Sequence, residues 1–210
     1  MTIKQAQAVT GTLSHPGKMP CQSYSIPAVR CKTGGLLRNL ENSTCRVCYA
    51  FGRGNYRFSN VQAALEKRFQ SIALPEWADA MIEHLNMTES SGFFRWHDSG
   101  DLQSVEHLRK IVQVVTGTPR LKHWLPTREY GIVSDYIRDG GHIPENLTVR
   151  LSAYIVDGPA PVGAAKRLGV QTSTVSTSNF DCPASKQGNK CLSCRACWDK
   201  SVPNVAYGKH

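Results

Sequence analysis

Between residues 59 and 169, apolar residues recur at helical spacing in five places, separated by short runs dense in aromatic and β-branched residues. Val61, Ala64, Leu65, Phe69 and Ile72 line one face of a first helix. Pro75 suits the opening turn of a second, whose stripe is Trp77, Met81, Ile82 and Leu85. Ser104 is placed to cap a third, carrying Val105, Leu108, Ile111, Val112 and Val115. Helices are also expected from Tyr130 to Arg138 and from Ala164 to Leu168, stopped by Gly140-Gly141 and Gly169. The intervening runs read as strands: Phe93 to His97, Lys122 to Thr127, Leu147 to Ile155 and Val170 to Val175. Pro126 marks a point where strand pairing should stop.

Strand and helix thus alternate through the middle of the chain, which predicts an α/β fold with a mostly parallel sheet. The units are too few for an eight-fold barrel, so a partial barrel or an open sheet is expected. On either side the periodicity disappears. The chain divides into a cysteine-rich N-terminal loop region (1–58), the α/β core (59–180) and a cysteine-rich C-terminal loop (181–210).

Composition narrows the class. The chain has 210 residues, 40% hydrophobic and 20% charged, enough for one sizeable core. No apolar run reaches the roughly 18–20 residues that span a membrane. The N-terminal stretch lacks the apolar core of a signal peptide, so no membrane association and a cytoplasmic location are expected. There, eight cysteines are metal ligands more readily than disulfides. The formal charge of +9 favours an anionic partner, although cations beside thiolates also offset their charge.

The cysteines carry the strongest chemical signal. Cys191, Cys194 and Cys197 form a C-x2-C-x2-C run, with Cys182-Pro183 as a separate fourth position, the spacing of bacterial-type iron–sulfur loops. Zinc sites more often use two separated C-x2-C pairs. Cys45 and Cys48 make one such pair, and Cys21 and Cys31 precede it. Four thiolates on one ion or cluster would order a region that packing alone leaves loose. One or two iron–sulfur clusters, of the [4Fe-4S] type, are expected, with zinc as the alternative.

Ligands of parallel α/β folds gather beyond the carboxyl ends of the strands. His97, Asp98, Ser99, Gly100 and Asp101 leave the strand at 93–97, and Thr127, Arg128 and Glu129 leave the next. The last strand runs through Ser176 toward Cys182, so the tail cysteines start on the same side. His97, Asp98, Ser99 and Asp101 are the candidate catalytic residues. Taken singly, Asp98 and Ser99 could shape a turn, Asp101 could favour a helix start, and His97 could be a hydrogen-bonded core residue. Arg128 and Glu129 read as no more than a surface ion pair.

Cys45-Arg-Val-Cys48-Tyr-Ala50 with its Gly-rich turn, Arg95-Trp-His-Asp-Ser-Gly-Asp101, Pro144-Glu-Asn-Leu-Thr-Val-Arg-Leu-Ser152 and the cysteine-rich tail together resemble the phage "gene product 88" family. That resemblance covers roughly residues 20–200 and implies a bacteriophage origin and the host cytoplasm as location. A weaker, partial resemblance is to radical S-adenosylmethionine enzymes. It implies cluster ligation by Cys31, Cys45 and Cys48, cofactor binding by Ser99, Gly100 and Asp101 where those enzymes carry Gly-Gly-Glu, and an auxiliary cluster in the tail. Thirteen residues separate Cys31 from Cys45, where that class has three. A fourth thiolate from Cys21 would close the iron on which S-adenosylmethionine binds.

Two functions follow as expectations. One is a redox or radical-type iron–sulfur enzyme acting on a small molecule in a polar cleft, with Asp101 important for activity and dispensable for folding. The other is a non-enzymatic module with structural clusters or zinc that binds nucleic acid or a host protein.

Overall fold

The computed structural model describes residues 1–209. Six strands form one open, all-parallel sheet in which each strand is bonded to the next in sequence. They are β1 (Ser23–Tyr24), β2 (Phe93–Trp96), β3 (Lys122–Thr127), β4 (Leu147–Ser152), β5 (Gln171–Ser176) and β6 (Asn204–Gly208). Seven helices accompany them: α1 (Ile3–Thr10), α2 (Lys32–Leu37), α3 (Ser59–Ser71), α4 (Trp77–Thr88), α5 (Val105–Gly117), α6 (Tyr130–Arg138) and α7 (Val162–Leu168). Parallel strands laid down in chain order, with crossovers of one hand, put the connecting helices on one face. Accordingly α1, α4, α5, α6 and α7 pack in succession.

The expected α/β alternation is present, and both end stretches contribute to it. The first 58 residues contain α1, β1 and α2, and the tail ends in β6, so β1 and β6 are the two edges of the sheet. His210, at the end of the tail, lies outside the described residues. These elements escape periodicity because β1 has two residues and α2 six, too short for a pattern to repeat. The first helix is announced by its cap: Thr2 Oγ1 accepts from Gln5 N–H while the Gln5 side chain accepts from Thr2 N–H. Ser104 caps α5 as expected, accepting from His107 N–H at 3.1 Å. Gly169 ends α7 with φ +64°. Pro126 does not end β3. Pairing with β2 stops at Trp124, whereas pairing with β4 continues through Pro126 to Thr127. A proline is tolerated there because its missing N–H falls where the β2 side is already open.

The sheet has two buried faces. All six residues of β4 are buried. Leu147, Val149 and Leu151 join Phe94, Trp96 and Leu125 in the core beneath the helices. Thr148 and Arg150 point the other way, where the C-terminal tail covers them. The Arg150 guanidinium donates to five carbonyl oxygens: Cys197, Thr172, Val202, Ala196 and Asp199, at 2.7–3.1 Å. Thr148 Oγ1 donates to Trp198 O, and Trp198 Nε1 to Phe94 O. The tail is therefore bound to the sheet by donors that β2, β4 and the tail's own indole offer each other, and Trp198 packs on Trp124 and Phe93.

Arg150→Met should keep the volume but orphan five carbonyls, costing about 3–5 kcal/mol. Denaturant unfolding followed by tryptophan fluorescence, which Trp124 and Trp198 report, checks this.

Four histidines are buried in the same frame. Burial pushes His107 and His123 down to about 3, and His84 and His97 also below the usual value. The unfolded chain, titrating near 6.5, then binds more protons than the folded one over that interval, so stability rises with pH. Going from pH 7 to pH 5 should remove roughly 2 kcal/mol for each of His107 and His123. Urea midpoints measured at the two pH values test this, and His107→Gln should flatten the dependence.

Candidate functional site

A cavity of about 500 Å³ opens at the carboxyl ends of the strands. Its wall includes Cys31, Cys45 and Cys48 on one side, Cys182, Cys191 and Cys197 on the other, and His97 through Asp101 between them. A smaller adjoining cavity, about 250 Å³, is lined by Cys182, Cys191, Cys194 and Cys197. The eight cysteines are all free thiols. Sequence reasoning left open whether Cys21 joins Cys31. The fold places it instead with the tail, packed among Trp124, Trp198, Met19 and Cys197.

Each cysteine is held by a specific tie. Glu129 accepts from Thr33 N–H at 2.8 Å and from its hydroxyl at 2.7 Å, fixing α2 just after Cys31. The expected surface ion pair between Arg128 and Glu129 is thus absent. Glu129 is buried and grips α2, while Arg128 Nε donates to Thr44 Oγ1 at 3.0 Å. Thr44 N–H also donates to Tyr154 O, tying the Cys45 loop to the end of β4. In the tail, Cys191 N–H donates to Lys18 O and Cys182 N–H to Ala206 O. The Cys197 thiol lies 3.2 Å from the Tyr207 hydroxyl.

Burial pushes the thiols up: Cys21 to about 12, Cys197 to about 11, and Cys31, Cys45 and Cys191 in the same direction. For Cys31 the nearby Asp101, Cys48 and Cys45 add to the effect. Such thiols stay neutral unless a cation stabilises their anions. Among the described residues, no group of three or more His, Cys, Asp or Glu side chains is arranged to hold a metal ion. The metal regions expected from sequence are therefore not present as a preformed ion site.

The strand-end residues divide by role. Gly100 has φ +82°, and a Cβ there would lie 2.2 Å from Ile26 Cγ1, so the position requires glycine. Ser99 Oγ donates to Ile26 O at 2.8 Å and Ile26 N–H to Ser99 O, which makes Ser99 a clamp on the segment after β1. Asp98 pairs with Arg95 at 3.0 Å and accepts from the Tyr56 hydroxyl, while its carbonyl accepts from Tyr49. His97 turns out of β2 with φ +54°. Both its ring nitrogens are buried without a partner, 5.4 Å ring to ring from His107. Burial, then His107 and Arg95, keep it neutral. Asp101 accepts from the Thr127 hydroxyl at 2.6 Å and from Leu102 and Arg128 N–H at 2.8 Å each. Burial nevertheless raises it to about 6. The expectation that Asp101 is dispensable for folding gives way here, because its carboxylate joins the ends of β2 and β3.

Arg95, Tyr49, Tyr56, Thr33, Thr127 and Tyr207 were not singled out from sequence. Arg95 had a readable signal, a lone charge inside Phe93-Phe-Arg-Trp96. Its guanidinium lies over the Trp124 ring and bridges toward Asp98. Gly100→Ala should destabilise the fold by about 2 kcal/mol or more, through strain at positive φ and collision with Ile26. Thermal unfolding of the variant checks it.

Compared with known proteins, the chain matches a family model described as "Gene product 88" over residues 1–200. No curated protein and no solved structure matches it.

Proposed function

The chain belongs to the phage gene product 88 family, and we propose that it is a radical-type iron–sulfur enzyme whose reacting cluster is held by Cys31, Cys45 and Cys48. The observation that carries this is the partition of the cysteines around the cavity. Three thiols of the N-terminal group line it, and Cys21 stands with the tail. A cubane bound by three cysteines keeps one iron free for an exchangeable ligand, and that side faces the strand-end residues.

Fit of the residues to the group supports the reading. Neutral buried thiols are the protonated form of ligands that lose their protons on loading. Sulfurs around one tetrahedral zinc stand about 3.8 Å apart, from Zn–S bonds near 2.3 Å. Here the cysteines surround cavities rather than a point, which suits a multi-atom cluster better than a single ion. Cys182, Cys191, Cys194 and Cys197 are the proposed ligands of a second, fully ligated cluster. When bound and reduced, a three-cysteine [4Fe-4S] cluster supplies the electron that cleaves S-adenosylmethionine into methionine and a 5′-deoxyadenosyl radical.

The chain's own groups bind and orient. Arg128 stands beside Cys31, Cys45 and Asp101 and offers cationic donors to a carboxylate. The turn at Ser99-Gly100 brings backbone polar groups to the wall, where they can receive an amine. Asp101 holds Arg128 N–H and the β3 end in register, and Asp98, locked by Arg95 and Tyr56, holds the cysteine loop against β2. His97 keeps a neutral imidazole at the wall and can exchange a proton with a substrate that reaches it. The alternative, a binding module with structural metal, leaves the cavity between the two cysteine groups without a use.

Anaerobically purified protein should contain iron and sulfide near eight per chain, as two cubanes require. Reduced samples should show an electron paramagnetic resonance signal that changes when S-adenosylmethionine is added. Cys31→Ala should abolish that change and about half the iron, whereas Cys21→Ala should keep both. Zinc without sulfide, or a spectrum indifferent to S-adenosylmethionine, would sink the assignment.

A further inference from the structure

The lobe that carries Cys31, Cys45 and Cys48 has an outer surface unlike the rest of the molecule. Of the twelve large hydrophobic residues exposed among the described residues, six fall within residues 29–58. Leu36 is 78% exposed and Val29 69%, on either side of the short α2, with Leu40 and Val47 close in sequence. The same segment is strongly cationic. Residues 28–58 contain six Lys or Arg (Arg30, Lys32, Arg38, Arg46, Arg53, Arg57) and a single carboxylate, Glu41. Among the described residues, only Arg30 of these forms an ion pair, with Glu66. Arg38 stacks 3.5 Å above the Phe51 ring, which joins the end of α2 to the 45–58 loop as one surface. Phe51 and Val47 also line the large cavity, so this surface is the outer side of the wall that holds the cysteine trio.

We infer that this lobe is the docking surface for an acidic protein carrying a low-potential one-electron centre. The inference rests on the proposed function, since a three-cysteine cluster turns over only when supplied with electrons. In the transfer no bond forms or breaks: the partner's reduced centre loses one electron and the cluster of the trio gains it. Apolar residues set among unpaired cations match an interface whose core excludes water and whose rim steers an oppositely charged partner. A nucleic-acid surface needs the cations but gains little from Leu36 and Val29 at such exposure. The position matters as much as the chemistry, because a partner seated here lies across one wall from the trio while the tail group lies across the cavity.

The experiment uses the full chain, anaerobically purified, and a reduced acidic [2Fe–2S] ferredoxin as the probe. Titration calorimetry should detect a complex that weakens steeply with salt. The double variant Arg53→Glu/Arg57→Glu should bind about tenfold more weakly or worse and accept electrons correspondingly more slowly. Leu36→Ser should weaken binding with little change in the salt dependence. All of these residues lie on the surface away from the cavity, and iron and sulfide content should be unchanged. Equal binding by the variants overturns the inference. So does a wild-type chain that ignores ferredoxin but retains random-sequence duplex DNA, or one that self-associates through the patch and becomes monomeric on Leu36→Ser. A protein with full clusters and no ferredoxin binding refutes the docking surface alone. A protein without clusters refutes the functional reading, whatever binds to the lobe.

Discussion

One guanidinium organises the side of this molecule on which chemistry is possible. Arg150 projects from the middle of β4 onto the face of the sheet that no helix covers, and it is fully buried there. Isolated, such a charge would be costly. Five carbonyl oxygens converge on it, four of them from the tail and the residues leading into β6. Those carbonyls belong to a segment with little regular structure, so the arginine acts as the template around which it folds. Once the tail is fixed, Trp198 is seated on Trp124, β6 can pair with β5, and Tyr207 meets Cys197.

A second constraint acts at the strand ends. β2 leaves the sheet through four consecutive polar residues, and each is tied to a different neighbour. Asp98 engages the cysteine loop through Tyr49 and Tyr56, Ser99 and Gly100 engage the segment after β1, and Asp101 engages β3. These ties make the N-terminal cysteine lobe part of the cavity wall rather than an appendage. The two cysteine groups face each other because both are fastened to the same row of strand ends, one by Glu129 and Thr44, the other by Arg150 and the pairing of β6.

The same geometry explains why most residues named from sequence in this region hold the structure as well as line the cavity. A carboxylate with three donors is both a wall group and a joint. Asp101 can remain beside Cys31 at a raised pKa only because Thr127 and two backbone N–H groups hold it there. His97 is the exception. Its ring is buried with neither nitrogen partnered and its backbone lies in a conformation unusual for a non-glycine residue, the combination in which strain and function tend to coincide.

Much of the architecture was legible along the chain. Helical stripes and β-branched runs repeat often enough between residues 59 and 176 to reveal themselves, and their alternation identifies a parallel sheet. The C-x2-C-x2-C run and the polar cluster after β2 are likewise local patterns. The lone arginines at 95 and 150 stood inside buried strands, a signal that partners must exist without any indication of where. The edge strands were hidden because two to five residues carry no period, and their identity depends on neighbours far along the chain. The grouping of the cysteines was hidden for the same reason: Cys21 lies nearer Cys31 in sequence, yet β1 carries it along the sheet to the tail. By itself, the sequence determined which elements form and which residue types cluster, since these follow from local spacing and burial. Which thiols share a wall, and which carboxylates are free, only the tertiary structure decided, because those relations are set by hydrogen bonds and packing between segments that spacing cannot connect.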